Sequence, residues 1–147
     1  MKKKRISSPC VIEHIGSTAV EGLGGKGIID IALTSTQEHL LSCKSELLHL
    51  GYLLSERRIT QTSYFLKKLS TITTETLFHL HLVLDNSKEW KNFLFFRDYL
   101  RSHAEEVKRY EDIKKKACLH SDVDGIYYKS SKEIFFKEVF TTHLERR

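Results

Sequence analysis

The residues best suited to chemistry begin at Gly16-Ser17-Thr18 and continue through Lys26 to Asp30, with His79 and His81 farther along. Residues 12–33 hold five of the seven glycines. A missing side chain at Gly16 lets backbone N–H groups approach a ligand closely, and the Ser17 and Thr18 hydroxyls add donors suited to phosphate oxygens. Lys26 would neutralise such a ligand as a point charge. Asp30 interrupts an apolar run, and an ionised carboxylate on a half-buried strand is costly unless a cation or donors meet it. His79 and His81 are two apart, so on a strand their imidazoles share a face. With Asp30 they would suit zinc or manganese better than magnesium, which prefers all-oxygen surroundings. The plainer alternatives are a solvated glycine loop between residues 22 and 27 and two half-buried, hydrogen-bonded histidines.

These side chains need elements to hold them. The apolar pattern predicts a strand over 11–15 that breaks at Gly16, and a second over 26–33 with Ile28, Asp30 and Ala32 on one face. On the first strand Glu13 and Ile15 share a face and His14 takes the other, so only one of Glu13 and His14 can join a pocket containing Asp30. Ser35 and Glu38 are spaced for a capping box that would open a helix through Leu40, Leu47 and Leu50, with Gly51 to stop it. Strands are expected over 52–56, 63–69 and 76–84. Beyond them the pattern is helical: one helix capped by Asn86 or Ser87 through Trp90, Phe93 and Leu100, one over 105–119, and a last one containing Ile134, Phe135, Val139 and Phe140. Residues 1–9 are expected as a mobile or weakly paired basic arm.

The motifs resemble those of the GrpB family, within the nucleotidyltransferase-like superfamily. They are Glu13 to Leu23, Lys26 to Ile31, His79-Leu80-His81, Trp90, Phe96-Arg97-Asp98-Tyr99-Leu100-Arg101, and Tyr128 with Lys132 and Phe135. Glu21 and Gly27 stand where that family usually has prolines, and the segment 52–75 matches only in pattern. The family typically has a further helix ahead of the Gly-Ser strand, so either a shortened member is expected or another segment covers the face that helix would bury. The resemblance implies a Gly-Ser turn that holds triphosphate and acids that hold a divalent metal. It also implies that Arg97 and Lys132 contact phosphate and that Tyr128 lines the pocket. Domains of this kind also occur fused to dephospho-CoA kinase, a hint of nucleotide or coenzyme context. Nucleotidyl transfer by two metals ordinarily uses about three carboxylates, and position 32 supplies alanine where the superfamily has its second acid.

The bulk composition is that of an ordinary globular chain. At 147 residues, 40% apolar and 29% charged, one α+β domain with a real core is expected. The architecture implied is a nucleotidyltransferase-like mixed sheet with helices packed on one face, a cleft at the Gly-Ser end and a helical C-terminal half. No run of eighteen apolar residues occurs, which argues against a membrane span, and no apolar segment follows the basic start; a cytoplasmic protein is expected. The three cysteines are far apart, which fits reduced thiols. The net charge of +5 favours phosphate-bearing partners, although terminal charge runs are usually solvated, so nucleic acid is the lesser expectation. Ser17 lacks a Gly-x-Ser-x-Gly elbow and no Walker-type loop occurs, which excludes those hydrolase and kinase readings. The sequence thus points to a nucleoside triphosphate or similar phosphorylated ligand with a divalent ion (Mg, Mn or Zn), bound by an enzyme or by an inactive module of the same fold. It leaves the number of subunits open.

Overall fold

In the computed structural model, residues 5–25, 27–119 and 126–144 are described, with backbone alone at 126–128 and 144. They form two compact units, 1–101 and 102–147. The first carries strands β1 (Val11–Ile15), β2 (Ile29–Ser35), β3 (Leu53–Ile59), β4 (Ser63–Leu69) and β5 (Thr76–Leu84), with helices α1 (Leu40–His49) and α2 (Lys88–Ser102). The second carries α3 (Ala104–Leu119) and α4 (Ile126–Leu144). Among the described residues no helix is long and apolar enough to cross a membrane.

The five strands form one mixed sheet in the order β1-β2-β5-β4-β3, in which β2 and β5 run parallel and every other pair is antiparallel. Its register sorts side chains onto two faces. Leu33, Tyr64, Leu66, Leu80 and Leu82 pack with Leu40, Cys43 and Leu47 of α1 to form the core of one face. Asp30, Ala32, His79, His81, Phe65 and Glu13 alternate with these residues and lie on the other. There Phe93 of α2 meets the His81 ring at 4.8 Å, so helices cover both faces. The expected one-sided arrangement is corrected because α2 also has an aromatic stripe to bury.

Local rules explain most boundaries. Gly51 takes a left-handed φ of 89°, and the backbone N–H groups of Gly51 and Tyr52 return to the carbonyls of Leu48 and Leu47 to close α1. At the start of α2 the Ser87 hydroxyl accepts the Trp90 N–H at 3.2 Å. The Ser35–Glu38 capping box does not form. Ser35 remains in β2 and its hydroxyl donates to the Pro9 carbonyl, while His39 occupies the cap position without a side-chain bond. Of the segment expected as an arm, Ser7 and Ser8 donate to the Glu46 carboxylate of α1 and Ile6 packs against the core; residues 1–4 lie outside the described residues. In the second unit, Tyr110 of α3 stacks on the buried Phe135 of α4 at 4.8 Å, Arg109 pairs with Glu138, and Ile134 faces outward.

Candidate active site

The candidate site lies where β1 ends. Gly16 has φ +72°, and a methyl group there would stand 2.5 Å from Asp30 Oδ2. Only glycine therefore lets the bend close over the carboxylate. Ser17 to Ala19 continue as one 3-10 turn, closed by the Ala19 N–H on the Gly16 carbonyl. Arg101 of α2 donates through Nε to the Ala19 carbonyl at 2.8 Å, which ties the turn to the helix. Gly25 returns to the same place, since a methyl group on it would lie 2.6 Å from Ser17 Oγ.

Beside the bend, His79 Nδ1 lies 3.3 Å from Asp30 Oδ1, with the side chains 33% and 26% exposed. Both are reachable from solvent, as a ligand site requires. The parallel register that aligns Asp30 with His79 also aligns Ala32 with His81. His81 has a different environment. Its ring lies 5.0 Å from Phe65 and 4.8 Å from Phe93. Burial, then the positive charge of Arg58 and the neighbouring His79, pushes its pKa down to about 4. It is a neutral imidazole packed among aromatic rings.

The choice between Glu13 and His14 is settled by register. Glu13 pairs with Ala32 and shares the site face, whereas His14 pairs with Ile31 on the opposite face. The Glu13 carboxylate thus stands beside Ala32 on the site face. Arg97 engages it, with Nη1 2.6 Å from Glu13 Oε2, 3.2 Å from the His14 carbonyl, and Nε 2.9 Å from Asp98 Oδ1. Burial of the Arg97 guanidinium, which opposes its charge, is outweighed by hydrogen bonds and attraction to Asp98 and Glu13, so its pKa is raised above the ordinary value. Arg97 therefore serves as a bridge from α2 to β1. Thr18 is likewise engaged, with its hydroxyl 2.7 Å from His14 Nε2.

Asp30, His79, Gly16 and Ser17 are thus brought together, with Glu13 nearby and His81 deeper on the same face. Lys26 and the side chain of Tyr128 lie outside the described residues. Lys132 belongs to α4 in the second unit. Among the described residues no three His, Cys, Asp or Glu side chains are grouped to hold a metal. Asp30 and His79 fit one hard or borderline cation that keeps most of its ligands from water and phosphate; they do not fit a two-ion carboxylate clamp. Sequence reasoning missed Phe65, whose ring touches both imidazoles, and Lys67, aligned with His79. Period-two alternation along β4 was the signal that could have placed both on the site face.

Comparison with solved structures defines the class of protein. The Cid1 poly(U) polymerase with MgGTP bound matches with a TM-score of 0.52 at 17% identity, covering 80% of this chain and 38% of that one; the fold is of nucleotidyltransferase type. The conserved protein GrpB from Enterococcus faecalis matches with a TM-score of 0.65 at 27% identity, over 95% of this chain and 85% of that one. The chain belongs to the GrpB protein family, which it matches over residues 1–142. An UPF0157 protein of Pseudomonas aeruginosa is 32% identical over 83% of this chain, and one of Halalkalibacterium halodurans is 30% identical over 87%. The chain spans 50% and 64% of the lengths of these two relatives.

Proposed function

We propose that this protein binds the phosphate chain of a nucleoside triphosphate, or of a similarly phosphorylated small molecule, at the Gly16 bend with one divalent cation beside Asp30. The observation that carries this reading is the approach of Gly16 to the Asp30 carboxylate, which leaves backbone and acid side by side with no side chain between them. In this role the Ser17 hydroxyl and the amides of the turn orient phosphate oxygens. Asp30 and His79 would hold the cation, which when bound supplies neutralisation of phosphate charge. A protein of this fold was solved with MgGTP bound, which supports a nucleotide as the ligand class.

The geometry favours binding over nucleotidyl transfer. Ala32 supplies no second acid, Glu13 beside it is held by Arg97, and His81 is packed among rings instead of poised at the bend. If transfer does occur, the cation would rest on Asp30 and phosphate alone, and His79, released from it, would take a proton from an acceptor hydroxyl.

Thermal stability measured with a panel of nucleotides, with and without magnesium, manganese or zinc, tests the proposal. A ligand that binds the native state at 100 times its Kd adds about 2.7 kcal/mol and raises Tm. The expected result is a metal-dependent rise with a triphosphate that Asp30→Asn abolishes. No rise with any nucleotide would sink the proposal. Labelled product that disappears in both Asp30→Asn and His79→Ala would establish transfer in place of simple binding.

A further inference from the structure

The face that carries Asp30 changes charge from one side of the sheet to the other. Its β1 and β2 half presents the carboxylates of Glu13 and Asp30, and the imidazoles of β5 stand in the middle. Across the antiparallel β4–β5 register, Lys67 pairs with His79 and Phe65 with His81. Such partners hold their Cβ atoms about 5 Å apart on a common face. Lys67 is exposed at this point. Pairing of β3 with β4 is irregular between Leu54 and Ile59, and the irregular stretch turns Arg58 onto the same face. Its guanidinium carbon lies 4.7 Å from the centre of the Phe65 ring. Bulged strands re-aim side chains in this way beside active sites. By contrast Lys68, the next residue, pairs with Phe78 and lies 5.2 Å over Tyr52 on the face that α1 covers.

We infer that Lys67 and Arg58 form the cationic wall of the site and receive the phosphate oxygens that the Asp30-bound cation leaves unneutralised. This inference rests on the proposed nucleotide site and adds the residues that recognise the polyphosphate. A triphosphate carrying one divalent cation remains an anion and needs further positive charge. Arg97 is already committed to Glu13, Asp98 and the His14 carbonyl. Lys67 lies one strand beyond His79, in the row that runs through Asp30, so a phosphate chain extended from the Gly16 bend across β5 reaches it. Arg58, laid against Phe65, presents a planar donor fork at the next row.

Calorimetric titration of the full chain with magnesium ATP and with inorganic tripolyphosphate, for wild type and for Lys67→Met, Lys67→Gln, Arg58→Met, Lys68→Met and Asp30→Asn, tests the wall. Loss of one charge-assisted phosphate contact is expected to weaken both ligands by roughly tenfold in each Lys67 variant and several-fold in Arg58→Met, with Lys68→Met within twofold of wild type. Circular dichroism confirms folding, and the exposed position of Lys67 makes the Gln variant a safe second probe. Equal affinity in the Lys67 variants and wild type overturns the inference, while loss of binding in Asp30→Asn alone would leave the nucleotide site standing. A wild type that binds neither ligand removes both. Lys67-dependent binding of single-stranded RNA that tripolyphosphate does not compete away would assign the wall to a nucleic acid and overturn its role in polyphosphate recognition.

Discussion

Gly16 concentrates the demands of the site in one residue, because it needs both a positive φ and an empty Cβ position against Asp30. Gly16→Ala is expected to cost about 1–3 kcal/mol through backbone strain and displacement of the carboxylate. Its Tm should fall, and its nucleotide-dependent Tm shift should vanish. A variant as stable as wild type would show that the bend is not held against Asp30 in solution. Glu13 and Arg97 make a different kind of contribution. The Arg97 side chain is 11% exposed and that of Glu13 is 37% exposed, so the pair is only partly shielded from water and a coupling of about 1–2 kcal/mol is expected. A double-mutant cycle with Glu13→Gln and Arg97→Met measures it by denaturant unfolding, and a coupling near zero would reduce the contact to an incidental surface pair.

At the scale of elements, α2 shields the histidine face much as α1 covers the opposite one. Phe93→Ala is expected to let water reach His81 and raise its imidazole pKa from about 4 toward the ordinary range, which an NMR titration of the ring would record. A pKa still near 4 would mean that α2 is not what buries the ring. The sequence made the strands and the Gly51 and Ser87 helix boundaries legible, because alternation, a left-handed cap and a hydroxyl cap are local signals. Ser35 misled because its hydroxyl has a distant alternative, the Pro9 carbonyl, which no spacing rule reveals. The polar segment 57–62 hid the extension of β3 to Ile59, which has no apolar face and regains its pairing, with Tyr64, only after an irregular stretch. Within the site, the approach of Asp30 to His79 followed from two strands becoming neighbours. Preference for Glu13 over His14, and the presence of Lys67, required register, a property of strand pairs and not of either strand alone.

At the scale of the whole molecule, His81 and Glu46, whose pKa values are both lowered, predict how stability responds to acid. His81 titrates at about 4 in the folded chain against an ordinary value of 6.5, so between these limits the unfolded chain binds a proton that the folded chain refuses. Stability therefore falls as pH drops from 6.5 toward 4 and levels off below, by on the order of 3 kcal/mol if the full shift is expressed. Glu46 acts in a lower window. Hydrogen bonds from Ser8 and Ser7 hold its carboxylate down to about 2 against 4.5, so its contribution is complete above 4.5 and is lost as pH falls toward 2. The chain, already at +5, gains positive charge across both windows, and self-repulsion adds a broad decline. Tm measured from pH 7.5 to 2.5 should show a loss between 6.5 and 4 that is flattened in His81→Leu, which keeps an apolar group between Phe65 and Phe93. Glu46→Gln should leave that limb unchanged and flatten the one below 4.5, because it removes a charge at the α1 contact with Ser7 and Ser8, far from the aromatic rings. Identical acid profiles for wild type and His81→Leu would mean that the imidazole is as open to water when folded as when unfolded, and the packing of α2 over the site face would have to be abandoned.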